Sequence, residues 1–220
     1  MTFEQSFQKY LLLSESNGTT NNLSTEKGKY AEMYNIAQNK TIEWLIESNA
    51  SDENRYLQEI KAVEEPLGAP TQTTETYSNH SLPGGYFGFL DLAVKATKSS
   101  CERNFTTREV KGSNVNANYN DPFSSPSFKY TDTFYTISNN SVQVYRKDFT
   151  ISEVRISYYK LPVQVTLSDP DDPESDFIAG EHQFDDKMVN RIIFSAVALH
   201  NLSADDPKYQ AFKQETIQKF

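Results

Sequence analysis

The chain has 220 residues and a formal net charge of −9, and 37% of its residues are hydrophobic and 13% aromatic. That length can bury one good core, or one core with a smaller satellite, and the large area of each aromatic side chain compensates in part for the modest hydrophobic content. The negative charge argues against a nucleic-acid binding protein, because phosphates require a basic face, and the single cysteine excludes a disulfide framework and a thiol metal cluster.

Residues 1–66 are predicted to be helical. Thr2 and Gln5 have the spacing of a capping box, in which each side chain satisfies a backbone donor of the other residue. A short helix that ends near Ser14 follows them. The same N-terminus lacks the basic stretch and the apolar run of a signal peptide, so we expect an intracellular, soluble protein.

A longer helix from about Thr25 to Ser48 shows apolar residues at helical spacing. We expect its buried side to consist of Tyr30, Met33, Tyr34, Ala37, Thr41, Trp44, Leu45 and Ser48. Asp52 is predicted to cap a third helix, which Pro66 and Gly68 terminate and which carries Tyr56, Leu57, Ile60 and Val63.

Residues 67–168 are predicted to form a β-rich region, because residue alternation of period 2 recurs there. The predicted strands are Tyr86–Thr97, the hairpin pair Phe134–Ile137 and Val142–Tyr145, Phe149–Tyr159 and Pro162–Leu167, and Thr106–Val110 is predicted to be either β or irregular chain. In the first of them we expect Leu90, Leu92, Val94 and Ala96 on one side. Gly84 and Gly85 indicate a tight turn, since they precede a strand and do not join a strand to a helix as a dinucleotide loop does.

The stretch 112–128 combines asparagine, serine and proline with scattered aromatic residues. We expect a long loop or arm here, mobile in the free subunit, because so polar a segment has little to bury. Tyr119, Phe123, Phe128 and Tyr130 are its candidate contacts with a partner; packing on the protein's own core is the alternative for them.

Residues 169–220 are predicted to comprise an acidic loop and C-terminal helices packed on the same core. Asp185–Asn201 has an amphipathic stripe of Met188, Val189, Ile192, Ile193, Ala196, Val197 and Leu199, with Asp185 or Asp186 as its cap. A final helix is predicted over Ala204–Phe220. The fold class that follows is α+β, with N-terminal helices, a central antiparallel β-sheet or sandwich, and C-terminal helices.

Between Asp169 and Asp186 there are eight acidic residues and no lysine or arginine. Clustered carboxylates suit calcium, but the two prolines and the missing mid-loop glycine do not fit a calcium-binding loop. A solvated loop without a bound cation is therefore preferred. We expect no metal, no cofactor-binding residue and no catalytic residue elsewhere either.

The three histidines, His80, His182 and His200, lack metal-ligand spacing, and His200 at a helix C-terminus is expected to be structural, as an imidazolium that suits the helix dipole. Cys101 with a distant histidine is a weak protease pattern. No Gly-x-Ser-x-Gly, His-Glu-x-x-His or lysine-bearing P-loop motif is present, so we do not expect an enzyme.

The C-terminal third resembles a family of virion proteins. Residues 158–163 read Tyr-Tyr-Lys-Leu-Pro-Val, an acidic loop follows, and a helix over residues 185–201 ends in His-Asn. This order of strand, acidic segment and helix is similar to the neck, or head–tail connector, proteins of tailed bacteriophages, and most to ring proteins of crAss-like phages. The resemblance covers roughly residues 140–220.

The resemblance implies a structural protein of the phage neck or tail that forms a homo-oligomeric ring between portal and tail. Its partners would be the portal protein and other neck or tail proteins, and genome DNA would pass through the channel without specific binding. An acidic lumen would suit that passage, since like charge repels phosphate. The location would be the virion, and the host cytoplasm during assembly, without a membrane.

Two alternatives remain open at this point. One is a different tail or virion component. The other is a non-enzymatic β-sandwich binding module, for instance a carbohydrate binder, because aromatic-rich β regions suit sugar stacking.

Overall fold

A computed structural model of the chain describes residues 1–16, 27–48, 54–138, 140–169, 171–172, 175–178 and 180–203. It confirms the α+β class, with helices and a mixed eight-stranded sheet. The helices are α1 Phe3–Ser16, α2 Lys27–Ser48, α3 Val115–Asn120 and α4 Asp186–Ser203, and 3-10 turns span Asn54–Ile60 and Gly112–Asn114. The strands are β1 Lys61–Pro66, β2 Gln72–Thr73, β3 Tyr77–Ser81, β4 Tyr86–Lys98, β5 Cys101–Glu109, β6 Asp132–Ser138, β7 Ser141–Tyr145 and β8 Thr150–Lys160.

The chain divides into two compact units. Unit 1 combines Met1–Glu59 with Pro162–Phe220, and unit 2 is the continuous stretch Ile60–Leu161. Unit 1 therefore contains α1, α2 and α4, and unit 2 contains the whole sheet and α3.

Local capping sets the starts of two helices in unit 1. The backbone N–H of Thr2 donates to Gln5 Oε1 at 3.0 Å, and that of Gln5 donates to Thr2 Oγ1 at 3.2 Å. At α4, the backbone N–H of Met188 donates to Asp185 Oδ1 at 2.8 Å. The predicted capping box and the predicted Asp185 cap are both confirmed, because each satisfies donors that a helix start leaves free.

Helix α4 packs against both α1 and α2. The predicted stripe is confirmed, with six side chains almost fully buried: Met188, Val189, Ile192, Ile193, Ala196 and Val197. Leu199 is half-buried at the end of the stripe. The predicted helix over 204–220 and the predicted cap Asp52 lie outside the described residues.

The buried side of α2 is rotated from the predicted one. It buries Tyr30, Ala31, Tyr34, Ala37, Gln38, Thr41, Ile42 and Leu45. The prediction is wrong for Ser48 and for Trp44, whose side chain is 45% exposed with the Arg191 guanidinium 5.4 Å from its ring centroid. Met33 is half-buried. The bulky Trp44 lies at the edge of the stripe, where a cation can cover one ring face.

Residues 162–167 are not the strand that their alternation predicts. Two side chains of α2 hold this extended backbone. Asn35 donates from Nδ2 to the Val165 carbonyl at 2.9 Å and accepts from the Val165 N–H at 2.9 Å, and Gln38 donates from Nε2 to the Val163 carbonyl at 3.1 Å. The side-chain amide of Asn35 thus replaces the neighbouring strand that a ladder would need.

Replacing Asn35 by alanine should lower the free energy of unfolding of unit 1 by about 2 kcal/mol. Val165 is buried, so its N–H and its carbonyl would both lose their partner. Urea unfolding followed by tryptophan fluorescence measures the loss, since Trp44 on α2 is the one tryptophan of the chain. The exposed neighbour Lys40→Ala serves as the control. An Asn35→Ala variant as stable as Lys40→Ala would show that the hydrogen bonds between Asn35 and Val165 do not hold residues 162–167 in place.

The predicted third helix is wrong beyond Ile60, where the chain becomes β1. This strand pairs antiparallel with β8, and Ala62 opposite Tyr158 enters the core, while Val63 is 62% exposed. In the sequence, the helical spacing of Leu57 and Ile60 favoured a helix, and the alternation in the short, charged stretch Lys61–Pro66 was too brief to indicate a strand. Pairing with β8 decides the conformation.

The sheet of unit 2 has the strand order β1-β8-β4-β5-β6-β7-β3-β2. Strand β5 pairs antiparallel with β4 over Cys101–Phe105 and then parallel with β6 over Thr106–Glu109. The other neighbouring pairs are antiparallel, so the antiparallel prediction needs correction at this one pair.

The sheet curls so that β6 and β7 share a core with β4 and β8. The predicted inward residues Leu92, Val94 and Ala96 are confirmed, and Leu90 is half-buried beside a register shift. The predicted hairpin is confirmed as β6 and β7, with Asn140 at φ 63° in its turn. The predicted turn at Gly84-Gly85 is confirmed as well, and Gly85 has a φ of 77° that favours glycine.

Candidate interaction surface

The stretch of residues 112–131, between β5 and β6, is named here the 112–131 segment. It is folded where a mobile arm was predicted: a 3-10 turn leads into α3. Val115 and Tyr119 of α3 pack against a small cluster of Val110, Phe134 and Tyr145 on the sheet. The Tyr119 hydroxyl donates to the Arg146 carbonyl at 3.2 Å.

Arg108 on β5 binds two parts of the 112–131 segment through hydrogen bonds. Its Nη1 donates to Asn118 Oδ1 at 2.8 Å, and its Nη2 donates to the carbonyl of Ser124. The guanidinium lies 5.4 Å from the ring centroid of Phe134. One arginine therefore fixes both sides of the loop tip, as the planar fork of its donors allows.

Asp121 organises the tip itself. Its Oδ1 accepts the backbone N–H of Phe123 at 3.1 Å, and its carbonyl accepts the N–H groups of Ser124 and Ser125 at 3.2 and 2.9 Å. Hydrogen bonds from the Ser124 side chain and from the Phe123 N–H, with the charge of Arg108, hold the pKa of the Asp121 carboxyl below its usual value. The carboxylate is thus ionised next to Phe123.

The far end of the segment returns to the core. Phe128 is 8% exposed and packs on Phe105 and Phe149, with the Arg103 guanidinium 5.1 Å from its ring centroid. Ser127 and Asp132 exchange two backbone hydrogen bonds. The expectation that the segment stays unburied is therefore wrong for Tyr119 and Phe128.

Phe123 is 95% exposed, at the tip of this anchored turn, and Tyr130 is 70% exposed. Burying a phenylalanine side chain at an interface stabilises it by about 1.5–3 kcal/mol. A side chain on a turn held by hydrogen bonds loses little conformational entropy when it binds. The geometry therefore presents Phe123 as a preorganised apolar contact.

Unit 2 also has an open cleft of about 350 Å³, named here the His80 cleft. Its rim is the exposed loop 67–70 and its walls come from β3 and from the first half of β8. Leu67, Pro70 and Ile151 give it an apolar lining, and His80 and Arg146 contribute polar groups.

The floor of the cleft is neutral. His80 Nδ1 lies 3.1 Å from the Gly68 carbonyl, which can only accept, so Nδ1 carries the hydrogen and Nε2 accepts the Ser78 hydroxyl at 3.1 Å. Both side chains are buried, and burial lowers the pKa of His80, an effect that the hydrogen bond to Gly68 partly opposes.

Arg146 contributes a positively charged guanidinium to the lining of the cleft. Its Nε and Nη2 donate to the Thr74 carbonyl at 3.1 and 2.5 Å. Glu153 also lines the cleft, but it is paired with Arg155 at 2.7 Å and with Lys95 at 3.3 Å. Neither Arg108 nor Arg146 could be singled out from the sequence, because their hydrogen-bond partners lie on distant parts of the chain.

His182 is part of a hydrogen-bond network in unit 1. The Ser6 hydroxyl donates to the Phe3 carbonyl at 2.7 Å and accepts from the Tyr30 hydroxyl at 2.6 Å. Ser6 has no second hydrogen, so His182 Nε2, 2.7 Å away, donates to it. Burial, with the N-terminal ammonium, lowers the pKa of His182 to about 4, although Asp186 acts in the opposite sense.

His200 has the structural placement that was expected at the end of α4, with Nδ1 2.7 Å from the Tyr10 hydroxyl. It is not an imidazolium as predicted, since burial, with the charge of Lys29, lowers its pKa. Desolvation outweighs the helix dipole here. Cys101 lies exposed at the start of β5.

Two carboxylates of the acidic loop, those of Asp169 and Asp176, bind groups of the protein itself. Asp169 Oδ1 accepts the backbone N–H of Asp171 at 3.0 Å, and the Asp169 carbonyl accepts the Ser175 hydroxyl at 2.8 Å. Asp176 pairs with Lys27 at 2.7 Å, which holds the pKa of this carboxyl below its usual value. The loop is thus tied by its own turn and by α2.

Within the described ranges, no three His, Cys, Asp or Glu side chains are grouped so that they could hold a metal ion. None of the helices in that part of the chain has the length and apolar character needed to cross a membrane. Comparison with protein-family models finds no match, and neither does comparison with curated proteins.

Proposed function

We propose that the protein is a structural subunit of a tailed-bacteriophage virion that assembles into a homo-oligomeric neck ring between portal and tail. The observation that carries this proposal is Phe123, 95% exposed on a turn fixed by Arg108 and Asp121. A ring subunit needs such lateral contacts, and buried aromatic anchors supply much of the energy of interfaces. The resemblance of residues 140–220 to neck proteins supports the location.

The purified protein is therefore expected to form rings visible by electron microscopy as its concentration rises. Phe123→Ser should raise the dissociation constant of the assembly about 10- to 100-fold, which corresponds to the roughly 1.5–3 kcal/mol of one buried phenylalanine. Sedimentation velocity over a concentration series measures this shift.

Leu12→Ser is the matched control, because Leu12 is 67% exposed on α1 of unit 1. An equal effect of both substitutions would mean that general surface hydrophobicity, and not the 112–131 segment, drives association. Deleting residues 114–126 would be a less specific test than a point substitution. The deletion would also remove Asn118 and Tyr119, whose hydrogen bonds to Arg108 and Arg146 hold the segment on unit 2.

The place in the virion has its own test. Antibodies against the purified protein, labelled with gold, should bind phage particles between head and tail. Gold on tail fibres or on the capsid would favour another virion component.

The His80 cleft favours the second candidate, a non-enzymatic binding module, because a concave site with convergent polar groups is typical of ligand binding. In that case the protein should stay monomeric at every concentration, and a ligand should stabilise unit 2 in thermal melts.

A further inference from the structure

We infer that the His80 cleft of one copy receives Phe123 of a second copy, so that copies join head to tail. This inference rests on the proposed assembly through Phe123 and names what that side chain binds. The two surfaces use different residues of unit 2: Phe123 lies in the 112–131 segment after β5, and the cleft is formed by β3, loop 67–70 and the start of β8.

The cleft has room for the ring of Phe123 and an apolar lining that suits it. Phe123 projects as a single aromatic side chain from a hydrogen-bonded turn, and the cleft of about 350 Å³ is open at its rim. Leu67, Pro70 and Ile151 offer apolar contacts to a ring. His80 at the floor is neutral and already paired with Ser78 and Gly68, so a ring lying above it leaves no polar group of this pair without a partner.

The charges beside the two surfaces are complementary. The ionised Asp121 carboxylate lies next to Phe123 in sequence and accepts its N–H. Arg146 in the cleft gives Nε and Nη2 to the Thr74 carbonyl, which fixes the guanidinium and leaves Nη1 for a carboxylate. Glu153, the acidic residue of the lining, is already neutralised by Arg155 and Lys95.

A contact between two different surfaces has a consequence for assembly. Each copy that uses its Phe123 still has an empty cleft, so further copies can add until a ring closes. A reciprocal pair, in which each Phe123 fills the other copy's cleft, would stop at two copies. The size of the wild-type assembly separates these two cases.

The test uses Ala69→Trp, which fills the cleft from its exposed rim without entering the core. Phe123→Ser alone and Ala69→Trp alone should each weaken association at least tenfold in sedimentation velocity. An equimolar mixture of the two variants should form heterodimers and nothing larger, because only one intact Phe123 can meet one intact cleft. Unchanged circular dichroism melts confirm that both variants fold.

A second measurement avoids relying on the bulky substitution. In a Cys101→Ser background, Pro122→Cys, beside an intact Phe123, mixed with Ala69→Cys should give a disulfide-linked heterodimer on oxidation, and Leu12→Cys mixed with Ala69→Cys should not. Ala69→Trp that assembles like wild type, or an absent Pro122→Cys crosslink, overturns the inference and leaves the proposed function intact if Phe123→Ser still dissociates. A wild-type protein that never associates overturns both.

Discussion

Replacing Ile192 by aspartate should lower the free energy of unfolding of unit 1 by about 4 kcal/mol, because a carboxylate would be buried without a partner. Ile192 is 0% exposed, in the middle of the stripe that α4 packs against α1 and α2. The charge would also replace a branched apolar side chain, so lost packing adds to the desolvation cost.

The readout is the fluorescence of Trp44 in urea, which reports on unit 1 because this tryptophan lies on α2. Phe194→Asp places the same charge on the same helix at a position that is 39% exposed, and should cost less than about 1 kcal/mol. Ile192→Val keeps the apolar character and should cost roughly 0.5–1.5 kcal/mol. Equal losses for the two aspartate variants would show that the stripe does not face the core.

Unit 1 should lose up to about 3 kcal/mol of stability between pH 6.5 and pH 4, since each unit of pKa difference corresponds to about 1.4 kcal/mol. The pKa of His182 is about 4 in the folded protein, against an ordinary value of 6.5. The unfolded chain therefore takes up a proton in this window that the folded chain does not. The contribution of neutral His182 to the free energy of unfolding is fully present above pH 6.5, falls as the pH drops, and levels off below pH 4. His182 is partly exposed, so solvent screening reduces the loss below this limit.

Several charged and polar groups around His182 set the pH range over which it affects stability. The N-terminal ammonium and Asp186 act on its charge in opposite senses, and its Nε2 hydrogen bonds to Ser6. His200 adds to the loss, since burial lowers its pKa as well. Asp176, whose pKa lies below its usual value through Lys27, loses its contribution only at lower pH. The carboxylate and imidazole effects thus occur in different pH ranges.

Urea unfolding at pH 7 and at pH 4.5, followed by Trp44 fluorescence, measures the difference. His182→Gln keeps a side-chain N–H that can donate to Ser6 and cannot titrate, so the variant should be less sensitive to this change of pH than the wild type. His80→Gln alters a histidine of unit 2 and should leave the pH dependence of unit 1 unchanged. A His182→Gln variant with the full wild-type pH dependence would show that other groups cause it.

The candidate surface was only partly predictable. The sequence indicated an aromatic-bearing segment at 112–128 and named Phe123 among its contacts. It did not show which of the aromatic side chains would be free, since Phe128 is buried against Phe105 and Phe149, and Tyr119 is half-buried against Phe134 and Tyr145. The His80 cleft had no sequence signal at all, because loop 67–70, His80, Arg146 and Ile151 meet only when β3, β7 and β8 are placed in the curled sheet.

Elements whose causes are local could be predicted from the amino-acid sequence alone. Capping at Thr2 and Asp185, the apolar stripe of α4 and the β6–β7 hairpin all depend on residues a few positions apart.

Where the hydrogen-bond or packing partners are distant in sequence, the conformation depends on the folded structure. Residues 162–167 alternate like a strand but take their hydrogen bonds from Asn35 and Gln38, more than 120 residues away. Residues 61–66 become a strand because β8 offers an edge, and His200 is neutral because α1 buries it. In each case the deciding energy is desolvation or the pairing of a backbone group, and neither is set until the partner is in place.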